Sequence, residues 1–344
     1  MLPSTQMKLL VAGFILVSVL ASAQSEHLGL TLPGLPGAPA QRVQVAKQLG
    51  ATWYRPGPVL LGGDSKCDDC AAARDAGMKI SLIVRNSSAA NKPSSPATDP
   101  ADFQKRLRAL LEREKPAMLV VEDEPEDLKN FNGTPEEYEA ELQSACTVSH
   151  ELKIPCANGG FNSVNTGNLV INQRFVSDPI DAAALALSLE FIRVHTRDKL
   201  NISIFNKGLG HDKNEQDLAV AAAKQNDEKH KPEIDRTRKF LEAINKAGVD
   251  RLNFHWYELQ PDNVPKVLDS LHQLSKLDLM SDEMGQKEER AFEVSEKIKL
   301  ALENFVWPTI WAGTDGKNDA VGLVDKKGKT RSNAAGFQMA SRSQ

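Results

Sequence analysis

The sequence predicts a single (β/α)8 barrel (TIM barrel) of the α/β class, with a helical insertion after the fifth strand. Short runs of strand-forming residues alternate with longer amphipathic runs, which predicts a parallel sheet with crossover helices. The chain contains eight such units, and eight is the number that closes this barrel. No glycine-rich phosphate loop follows the first strand, which counts against an open nucleotide-binding sheet.

The predicted strands are short apolar runs bounded by polar or turn-forming residues. They cover residues 27–32, 52–55, 79–84, 117–124, 154–158, 251–257, 279–283 and 306–311. The helices between them have apolar residues at helical spacing. They cover residues 40–49, 66–76, 102–114, 134–151, 264–277 and 288–304, and a short final helix begins at Asn333.

Residues 162–250 are far more than one crossover between strands requires. The segment contains an apolar helix at 179–193, a polar charged stretch at 211–236, and then the helix that leads to strand six. It has no second set of strands, so a separate small domain is disfavoured. We expect an insertion that forms a lid or a cleft wall.

The first 23 residues have the pattern of a secretory signal peptide. Lys8 precedes an apolar stretch at 9–20, and the small residues Ala21, Ser22 and Ala23 follow it. Cleavage before Gln24 would leave a mature barrel domain at 24–344, secreted or periplasmic. A retained membrane anchor is the alternative.

The overall charge disfavours two classes of partner. A formal net charge of -4 argues against nucleic acid or an anionic membrane as the main partner, because both reward a positive excess. We therefore expect no nucleic-acid partner and no membrane contact after signal cleavage. The oligomeric state is not indicated.

Four cysteines, Cys67, Cys70, Cys146 and Cys156, are expected to form disulfides in an oxidising compartment. Cys146 and Cys156 are placed where a helix and the next strand could meet, but local and crossed pairings both remain open. A metal site is disfavoured, because the single C-x-x-C has no second pair and no histidine at ligand spacing. No cofactor is indicated.

Acidic residues end two of the predicted strands, and in this fold active sites gather at the C-terminal strand ends. Strand four ends in Glu122, Asp123 and Glu124, and alternation would place Glu122 and Glu124 on one face. Strand seven ends in Asp282 and Glu283. Two carboxyl groups across a barrel mouth are what glycoside hydrolysis requires, one as proton donor and one as nucleophile or base.

The nucleophile needs to stay ionised, so a cation and hydrogen-bond donors should lie near it. Arg55 ends strand two, and His255 and Tyr257 end strand six, next to strand seven. Two alternatives stay open for the acids. Glu122 could be the interior acid, paired with Arg55 or Arg85, and Glu258 could be a cleft acid.

These motifs resemble those of the clan A retaining glycoside hydrolases, a group that includes cellulases and β-glycosidases. In that group an Asn-Glu-Pro or similar ends strand four, and Asp123-Glu124-Pro125 matches it with one departure. A Glu-x-Gly ends strand seven, and Glu283-Met284-Gly285 matches. The group also has an arginine on strand two, a His/Tyr pair on strand six and a tryptophan on strand eight, and this sequence has Arg55, His255, Tyr257 and Trp311 in those places.

The resemblance implies a glycoside hydrolase that cleaves O-glycosidic bonds by a retaining double displacement. Together with the signal-peptide pattern, it makes a secreted enzyme acting on β-linked sugars the leading hypothesis. Glu124 would be the acid/base, and Glu283 the nucleophile that forms a glycosyl-enzyme intermediate. Arg55 and Tyr257 would hold Glu283, and Trp311 would form the floor of a sugar subsite. His255 is the remaining substrate-binding candidate.

Asp123 is the departure from the family pattern. The family's asparagine donates an amide hydrogen bond to the substrate's 2-hydroxyl, whereas an aspartate cannot donate unless it is protonated. The main alternative is therefore a carbohydrate-binding barrel that has lost hydrolysis. A metal-dependent enzyme with Glu122, Asp123, Glu124 and His255 as ligands is disfavoured by the absence of a His-x-His or comparable pair.

Overall fold

The computed structural model describes residues 26–178, 181–182, 185, 228–258, 260–316 and 321–342. The predicted signal peptide lies outside these residues. So do most of the helix predicted at 179–193 and the first part of the polar stretch at 211–236. Within the described ranges, no helix has both the length and the apolar character needed to cross a membrane.

Eight parallel strands close into a barrel, as the sequence predicts. They are β1 (Leu28–Thr31), β2 (Trp53–Arg55), β3 (Lys79–Arg85), β4 (Met118–Val121), β5 (Cys156–Asn158), β6 (Arg251–Trp256), β7 (Asp278–Met284) and β8 (Thr309–Ala312). Each strand pairs with the next along the chain, and β1 pairs with β8 to complete the ring. A two-residue strand at Val59–Leu60 adds to the end of β3.

Helices follow the strands and pack around them. Those described are α1 (Pro39–Leu49), α2 (Cys70–Asp75), α3 (Pro100–Glu114), α4 (Pro135–Glu151), α5 (Ser163–Ser177), α6 (Lys231–Lys246), α7 (Val264–Ser275), α8 (Ala291–Glu303) and α9 (Ser332–Arg342). Asp99 caps α3, and Thr134 caps α4 in a capping box with Glu137. These caps satisfy backbone N–H groups that a helix start leaves without partners.

The apolar side chains divide into two clusters, one on each side of the sheet. The smaller cluster fills the barrel interior and contains Trp53, Ile83, Met118, Val120, Ala157 and Met280. The larger lies between the outer face of the sheet and the helices. Successive residues of a strand point alternately to the interior cluster and to the outer cluster. Which residues of a strand face the interior therefore decides which side chains can reach the mouth of the barrel.

The segment after β5 differs from its predicted organisation. Helix α5 occupies Ser163–Ser177, where no helix is predicted, and α6 supplies the predicted helix before β6. Asn162 caps α5 by accepting the Asn165 N–H. Because α5 packs against α6, α7 and β6, it is part of the barrel's helical layer, and additional chain can begin only after it.

The cysteines form two local disulfides. Cys67 is bonded to Cys70 just before and at the start of α2, and Cys146 of α4 is bonded to Cys156 of β5. The second bond joins a helix to the strand on which it packs, in agreement with the expected helix–strand contact.

Candidate active site

The ends of β2, β6 and β7 and the turn after β4 bring their polar side chains into one network at the mouth of the barrel. Arg55 binds the acids that end β7, and His255 connects one of those acids to Glu124. Glu124 and Glu283 are therefore at the same end of the barrel, as glycoside hydrolysis requires.

Arg55 is the central cation of the site, with only 6% of its side chain exposed. Its Nε lies 3.0 Å from an oxygen of Asp282, and its Nη1 lies 3.0 Å from Oε2 of Glu283. Its Nη2 lies 3.3 Å from Asp123. One planar guanidinium thus holds three carboxyl groups, which a lysine could not do with the same fixed geometry.

Glu283 is held by a cation and a phenol. Tyr257 donates its O–H to Oε1 at 2.7 Å, while Arg55 binds Oε2. Burial alone would favour the neutral acid, but Arg55, His255 and the Tyr257 hydrogen bond outweigh it and lower the pKa of Glu283. With 27% of its side chain exposed, this carboxylate is ionised and open to the mouth.

Asp282 is a site residue to which the sequence analysis gave no role. It is fully buried and accepts hydrogen bonds from Arg55, from Asn253 Nδ2 at 2.6 Å and from His255 Nε2 at 3.1 Å. Burial opposes ionisation, yet Arg55 and His255 lower its pKa to about 2.

A bulge explains why two consecutive acids of β7 both face the interior. Asn253 pairs with Met280 and His255 with Glu283, so three residues of β7 oppose two of β6. The extra residue breaks the alternation that would otherwise send Asp282 and Glu283 to opposite faces.

His255 lies between two carboxyl groups. Its Nδ1 is 2.9 Å from Oε1 of Glu124, and its Nε2 is 3.1 Å from Oδ1 of Asp282. Both ring nitrogens face acceptors, so the doubly protonated imidazolium satisfies the site best. Burial opposes this charge, but the hydrogen bonds that the ring donates to Asp282 and Glu124 raise the pKa of His255 well above its usual value.

Glu124 is held by two donors and remains 26% exposed. His255 binds one carboxyl oxygen, and the side-chain amide of Asn130 donates to the other at 3.1 Å. Asn130 is not indicated by any motif. It reaches Glu124 because the chain after β4 folds into a compact turn in which the Asn130 N–H bonds to the Asp127 carbonyl.

That turn begins with two left-handed residues, which corrects the predicted extent of strand four. Glu122 has φ of 67° and Glu124 has φ of 48°, so β4 ends at Val121. Gly159 permits this path, because a Cβ there would lie 2.5 Å from the Glu122 carbonyl carbon. Non-glycine residues in this region cost about 1–3 kcal/mol each, and such strain concentrates at functional sites.

The prediction that Glu122 and Glu124 share one face is wrong for the same reason. Glu122 is fully buried below the mouth, where Oε1 accepts the Asn86 N–H at 2.6 Å and Oε2 lies 3.8 Å from Arg85 Nε. Alternation fails once the chain leaves the extended conformation. Of its two candidate partners, Arg85 is the one in contact.

Asp123 points into the mouth, where it contacts Arg55 and keeps 29% of its side chain exposed. Loss of hydration in the mouth opposes its charge, and so do the nearby charges of Glu124 and Glu283. Together they raise the pKa of Asp123 to about 6 despite Arg55. Asp123 is therefore partly protonated in mildly acidic solution.

Glu126 is a second buried acid beside Glu124. Its Oε1 accepts the Asn162 N–H at 2.7 Å and the Asn165 amide at 3.2 Å, both at the start of α5. Burial, followed by the charge of Glu124, raises its pKa to about 8. The candidate cleft acid Glu258 is likewise buried.

Gly285 accounts for the last position of the Glu-x-Gly motif. A Cβ on Gly285 would lie 2.4 Å from Cε1 of Tyr257. Glycine therefore lets the tyrosine ring lie against the chain after Glu283, which brings its O–H to that carboxylate.

The predicted role of Trp311 is wrong. Its side chain is fully buried in the outer cluster between sheet and helices. Its neighbour Ile310 faces inward, because both Ile310 and Trp53 would touch a Cβ added to Gly29 of β1. Strand alternation then sends Trp311 outward, away from any sugar at the mouth.

A shared metal site of Glu122, Asp123, Glu124 and His255 does not form, because Glu122 lies below the mouth. Among the residues described, the one group of ligand atoms within reach of one another is Cys67, Cys70 and Glu114. Those two cysteines are bonded to each other. This pairing leaves no thiolate ligands there.

Comparison with known proteins is informative at the level of structure. No protein-family model matches the sequence, and no curated protein matches it. A glucosidase from Croceicoccus marinus superposes with a TM-score of 0.56 at 12% identity, covering 91% of this chain and 66% of that one. This chain thus spans just under two thirds of the length of the glucosidase.

Two glucanases match over nearly their whole length. A subgroup II endo-β-1,3-glucanase of glycoside hydrolase family 128 from Sorangium cellulosum has a TM-score of 0.52 at 12% identity, covering 91% of this chain and 98% of that one. A subgroup I enzyme from Amycolatopsis mediterranei, in complex with laminaritriose and laminaribiose, has a TM-score of 0.50 at 10% identity, covering 91% and 99%. At these identities the likeness establishes the (β/α)8 fold, which these glycoside hydrolases share with this chain.

Proposed function

We propose that this chain is a glycoside hydrolase that cleaves O-glycosidic bonds with retention of configuration, with Glu283 as nucleophile and Glu124 as acid/base. The observation that carries the proposal is the contrast between two carboxyl groups at one barrel mouth. Both side chains are similarly exposed, at 27% and 26%. Glu283 is held ionised by the Arg55 guanidinium and the Tyr257 hydroxyl, whereas Glu124 contacts an imidazole and an amide.

In the first step a carboxylate oxygen of Glu283 attacks the anomeric carbon, and the bond from that carbon to the leaving oxygen breaks. Glu124 donates its proton to the leaving oxygen. In the second step Glu124 takes a proton from water, and the resulting hydroxide oxygen displaces Glu283 from the anomeric carbon. Each step inverts the configuration, so the product retains it.

The supporting residues have separate tasks in this scheme. Arg55 and Tyr257 keep Glu283 charged before attack and stabilise it again when it leaves. His255 and Asn130 fix the direction of the Glu124 carboxyl group. Asp282 anchors both Arg55 and His255 from below, so it positions the two halves of the site relative to each other.

The names of the structural neighbours indicate which substrates to test first. Two of them are β-1,3-glucanases, one solved with laminari-oligosaccharides, and the third is a glucosidase. We therefore propose a β-linked glucan as the carbohydrate substrate. The mouth offers the partly exposed carboxyl groups of Asp123, Glu124 and Glu283, which suit hydrogen bonding to sugar hydroxyls. We also propose export, supported by the signal-peptide pattern and the two disulfides.

The decisive experiment follows the anomeric configuration of the first product by proton NMR, with laminari-oligosaccharides and an aryl β-glucoside as substrates. We expect the β-anomer to appear before mutarotation. Initial formation of the α-anomer would contradict retention. Binding of the oligosaccharide without turnover, by a folded protein across acidic and neutral pH, would instead support the carbohydrate-binding alternative that Asp123 raises.

A further inference from the structure

Two buried acids contact each other directly below the mouth. Glu122 follows β4 and is fully buried, and Glu141 lies in the middle of α4 with 3% of its surface exposed. Their side chains are within hydrogen-bonding reach of each other. Oε2 of Glu122 and Oε1 of Glu141 are buried, and neither makes a hydrogen bond of regular geometry among the described residues, although the Ser94 hydroxyl lies close to Glu122.

The other two oxygens of this pair are already satisfied. Oε1 of Glu122 accepts the Asn86 N–H at 2.6 Å, and Oε2 of Glu141 accepts the Ala97 N–H at 2.8 Å. The nearest cation, Arg85, is 3.8 Å from Glu122. Arg85 can balance only one negative charge, so two adjacent buried carboxylates would repel each other strongly. A single proton between Oε2 of Glu122 and Oε1 of Glu141 removes this repulsion and gives both oxygens a hydrogen-bond partner.

The backbone donors to this pair lie at the two ends of one loop, residues 86–97 between β3 and α3. Within that loop, the Ser94 N–H donates to the Asn130 carbonyl at 2.7 Å, and the Asn132 N–H donates to the Ser94 carbonyl at 3.0 Å. Asn130 is the residue whose amide holds Glu124. A continuous set of contacts therefore joins the acid pair to the proposed acid/base.

We propose that Glu122 and Glu141 share one proton and that, in this form, they act as positioning residues: they fix the 86–97 loop and, through Asn130, orient Glu124. The part that concerns Glu124 rests on the proposed function. The shared proton itself does not.

The charged and titratable groups around the pair define how it responds to pH. Arg85 faces it from β3 and favours one negative charge, and Tyr138 of α4 interacts with both acids. Tyr138 stays neutral, because burial raises its pKa well above the usual value. The Ser94 hydroxyl also faces Glu122 from the loop.

Burial raises the pKa of both acids, and the charge of Glu122 raises that of Glu141 further. The unfolded chain releases the corresponding proton near the usual pKa of 4.5, whereas the folded protein keeps it. The folded state binds more protons above that value. Its stability therefore falls as pH rises, until the shared proton is lost from the folded state as well.

The test compares Glu141→Gln with Glu139→Gln, a matched change on the more exposed side of the same helix. In Glu141→Gln an amide N–H replaces the shared proton, so the contact is kept without titration. Urea unfolding followed from about pH 4 to about pH 9 should show that Glu141→Gln loses less stability than the wild type as pH rises. The slopes of the free energy of unfolding against pH should differ by at most the value for one bound proton. Glu139→Gln should follow the wild type.

Infrared difference spectra supply a direct readout of the proton. At neutral pH the C=O stretch of a neutral carboxylic acid should be weaker in Glu141→Gln than in the wild type and unchanged in Glu139→Gln. Identical spectra and identical pH slopes for the two variants would overturn the proposal. If Glu141→Gln does not fold, Glu122→Gln tests the same proton from the other side, and failure of both to fold counts against a replaceable proton.

The effect on Glu124 is measured separately through the pH dependence of kcat/KM. Above the pKa of Asp123, about 6, the further loss of activity at alkaline pH should move to higher pH in Glu141→Gln and stay in place in Glu139→Gln. An unchanged profile would overturn the positioning role. Absence of turnover in the wild type would remove the proposed function and the Glu124 role with it, while unfolding and spectra would still decide whether the proton is shared.

Discussion

The acids that end β7 and three of the acids that follow β4 are close neighbours in the fold, yet their pKa values are shifted in opposite directions. Burial opposes ionisation of Asp282 and Glu283, but Arg55 and His255 lower the pKa of both, that of Asp282 to about 2. Burial raises the pKa of Glu122. Burial together with neighbouring acids raises the pKa of Asp123 to about 6 and that of Glu126 to about 8.

The difference arises from backbone geometry. The β7 bulge turns two consecutive acids toward Arg55, so both gain a cation at 3.0 Å. The left-handed turn after β4 instead spreads its acids, and of these only Asp123 reaches Arg55, at 3.3 Å. The acids at the end of β7 are thereby kept ionised, as a nucleophile requires, whereas Glu124 follows β4 and contacts an imidazole and an amide rather than a guanidinium.

The largest expected effects come from replacing Glu283 and Glu124 by alanine, and rescue by azide distinguishes the roles of the two residues. Glu283→Ala should lower kcat by at least about 10⁴-fold, the scale of losing a nucleophile. Glu124→Ala should cost about 10²- to 10⁴-fold, the range of a general acid. Added azide should restore turnover in both, because a small anion fits the space that either carboxylate leaves.

The configuration of the glycosyl azide then identifies each role. From a β-glycoside, Glu283→Ala should yield the α-azide, since azide attacks from the face of the missing nucleophile. Glu124→Ala should yield the β-azide, since azide replaces water in the second step. Exchanged products would reverse the two assignments.

Arg55→Met should be the most destabilising change at the charged strand end. It leaves Asp282 fully buried and Glu283 largely so without their shared cation, and breaking a buried pair in this way costs about 3–5 kcal/mol. Urea unfolding at neutral pH measures the loss. Without Arg55, the buried carboxylates can lose their uncompensated charge only by protonation. The loss of stability relative to the wild type should therefore become smaller as pH falls.

Lys231→Ala is the control for that loss. Lys231 and Asp235 form an exposed pair one helical turn apart on α6, and such pairs contribute about 0.5 kcal/mol or less. Equal losses in the two variants would mean that Arg55 is not the cation on which the β7 acids depend.

Tyr257→Phe should have an intermediate effect. It removes the O–H that donates to Glu283 at 2.7 Å while keeping the ring against Gly285. A hydrogen bond to a charged group contributes about 1.5–3 kcal/mol, so kcat/KM should fall about 10- to 100-fold.

Tyr54→Phe is the matched control, because Tyr54 makes a similar buried bond to Asp69 at 2.9 Å in the outer cluster. It should lower stability and leave kcat/KM unchanged. Comparable losses of activity in both variants would indicate that Tyr257 acts through stability rather than on Glu283.

Features that depend on local patterns could be predicted from the sequence. The eight strands alternate with helices at ordinary spacing. Arg55, Glu124, His255, Tyr257 and Glu283 lie at or just after the ends of strands whose C-terminal ends must meet. Their convergence follows from parallel topology, so motif order along the chain was sufficient to find them.

Features that depend on backbone irregularity could not be predicted. Asp282 reaches the site through a bulge, and Glu122 leaves it through a left-handed turn, and neither event changes the apolar pattern. The role predicted for Trp311 was wrong because consecutive residues of a strand point to opposite faces. An assignment that is one residue off therefore places the side chain outside the barrel instead of at its mouth. Asn130 is brought in by a turn that no spacing rule describes.

The smallest expected effect concerns Asp123, where the sequence departs from the motif of the glycoside hydrolases that it resembles. Asp123 has a pKa of about 6, so about a tenth of it is protonated at neutral pH. If the protonated carboxyl donates to the substrate's 2-hydroxyl, wild-type kcat/KM should fall as pH rises through this pKa. The amide of Asp123→Asn donates at every pH, so this variant should lose the fall of kcat/KM near pH 6 and raise kcat/KM at neutral pH by up to about tenfold.

Asp123→Asn should also raise the stability of the protein at neutral pH. The folded pKa of Asp123 lies above the usual 3.8, so the wild type loses stability as pH rises from that value to about 6. Glu126→Gln is the control, because it removes the acid whose pKa is higher, about 8. It should keep the fall of kcat/KM near pH 6. A fall that persists in Asp123→Asn would assign the titration to another group and leave Asp123 as a partner of Arg55 alone.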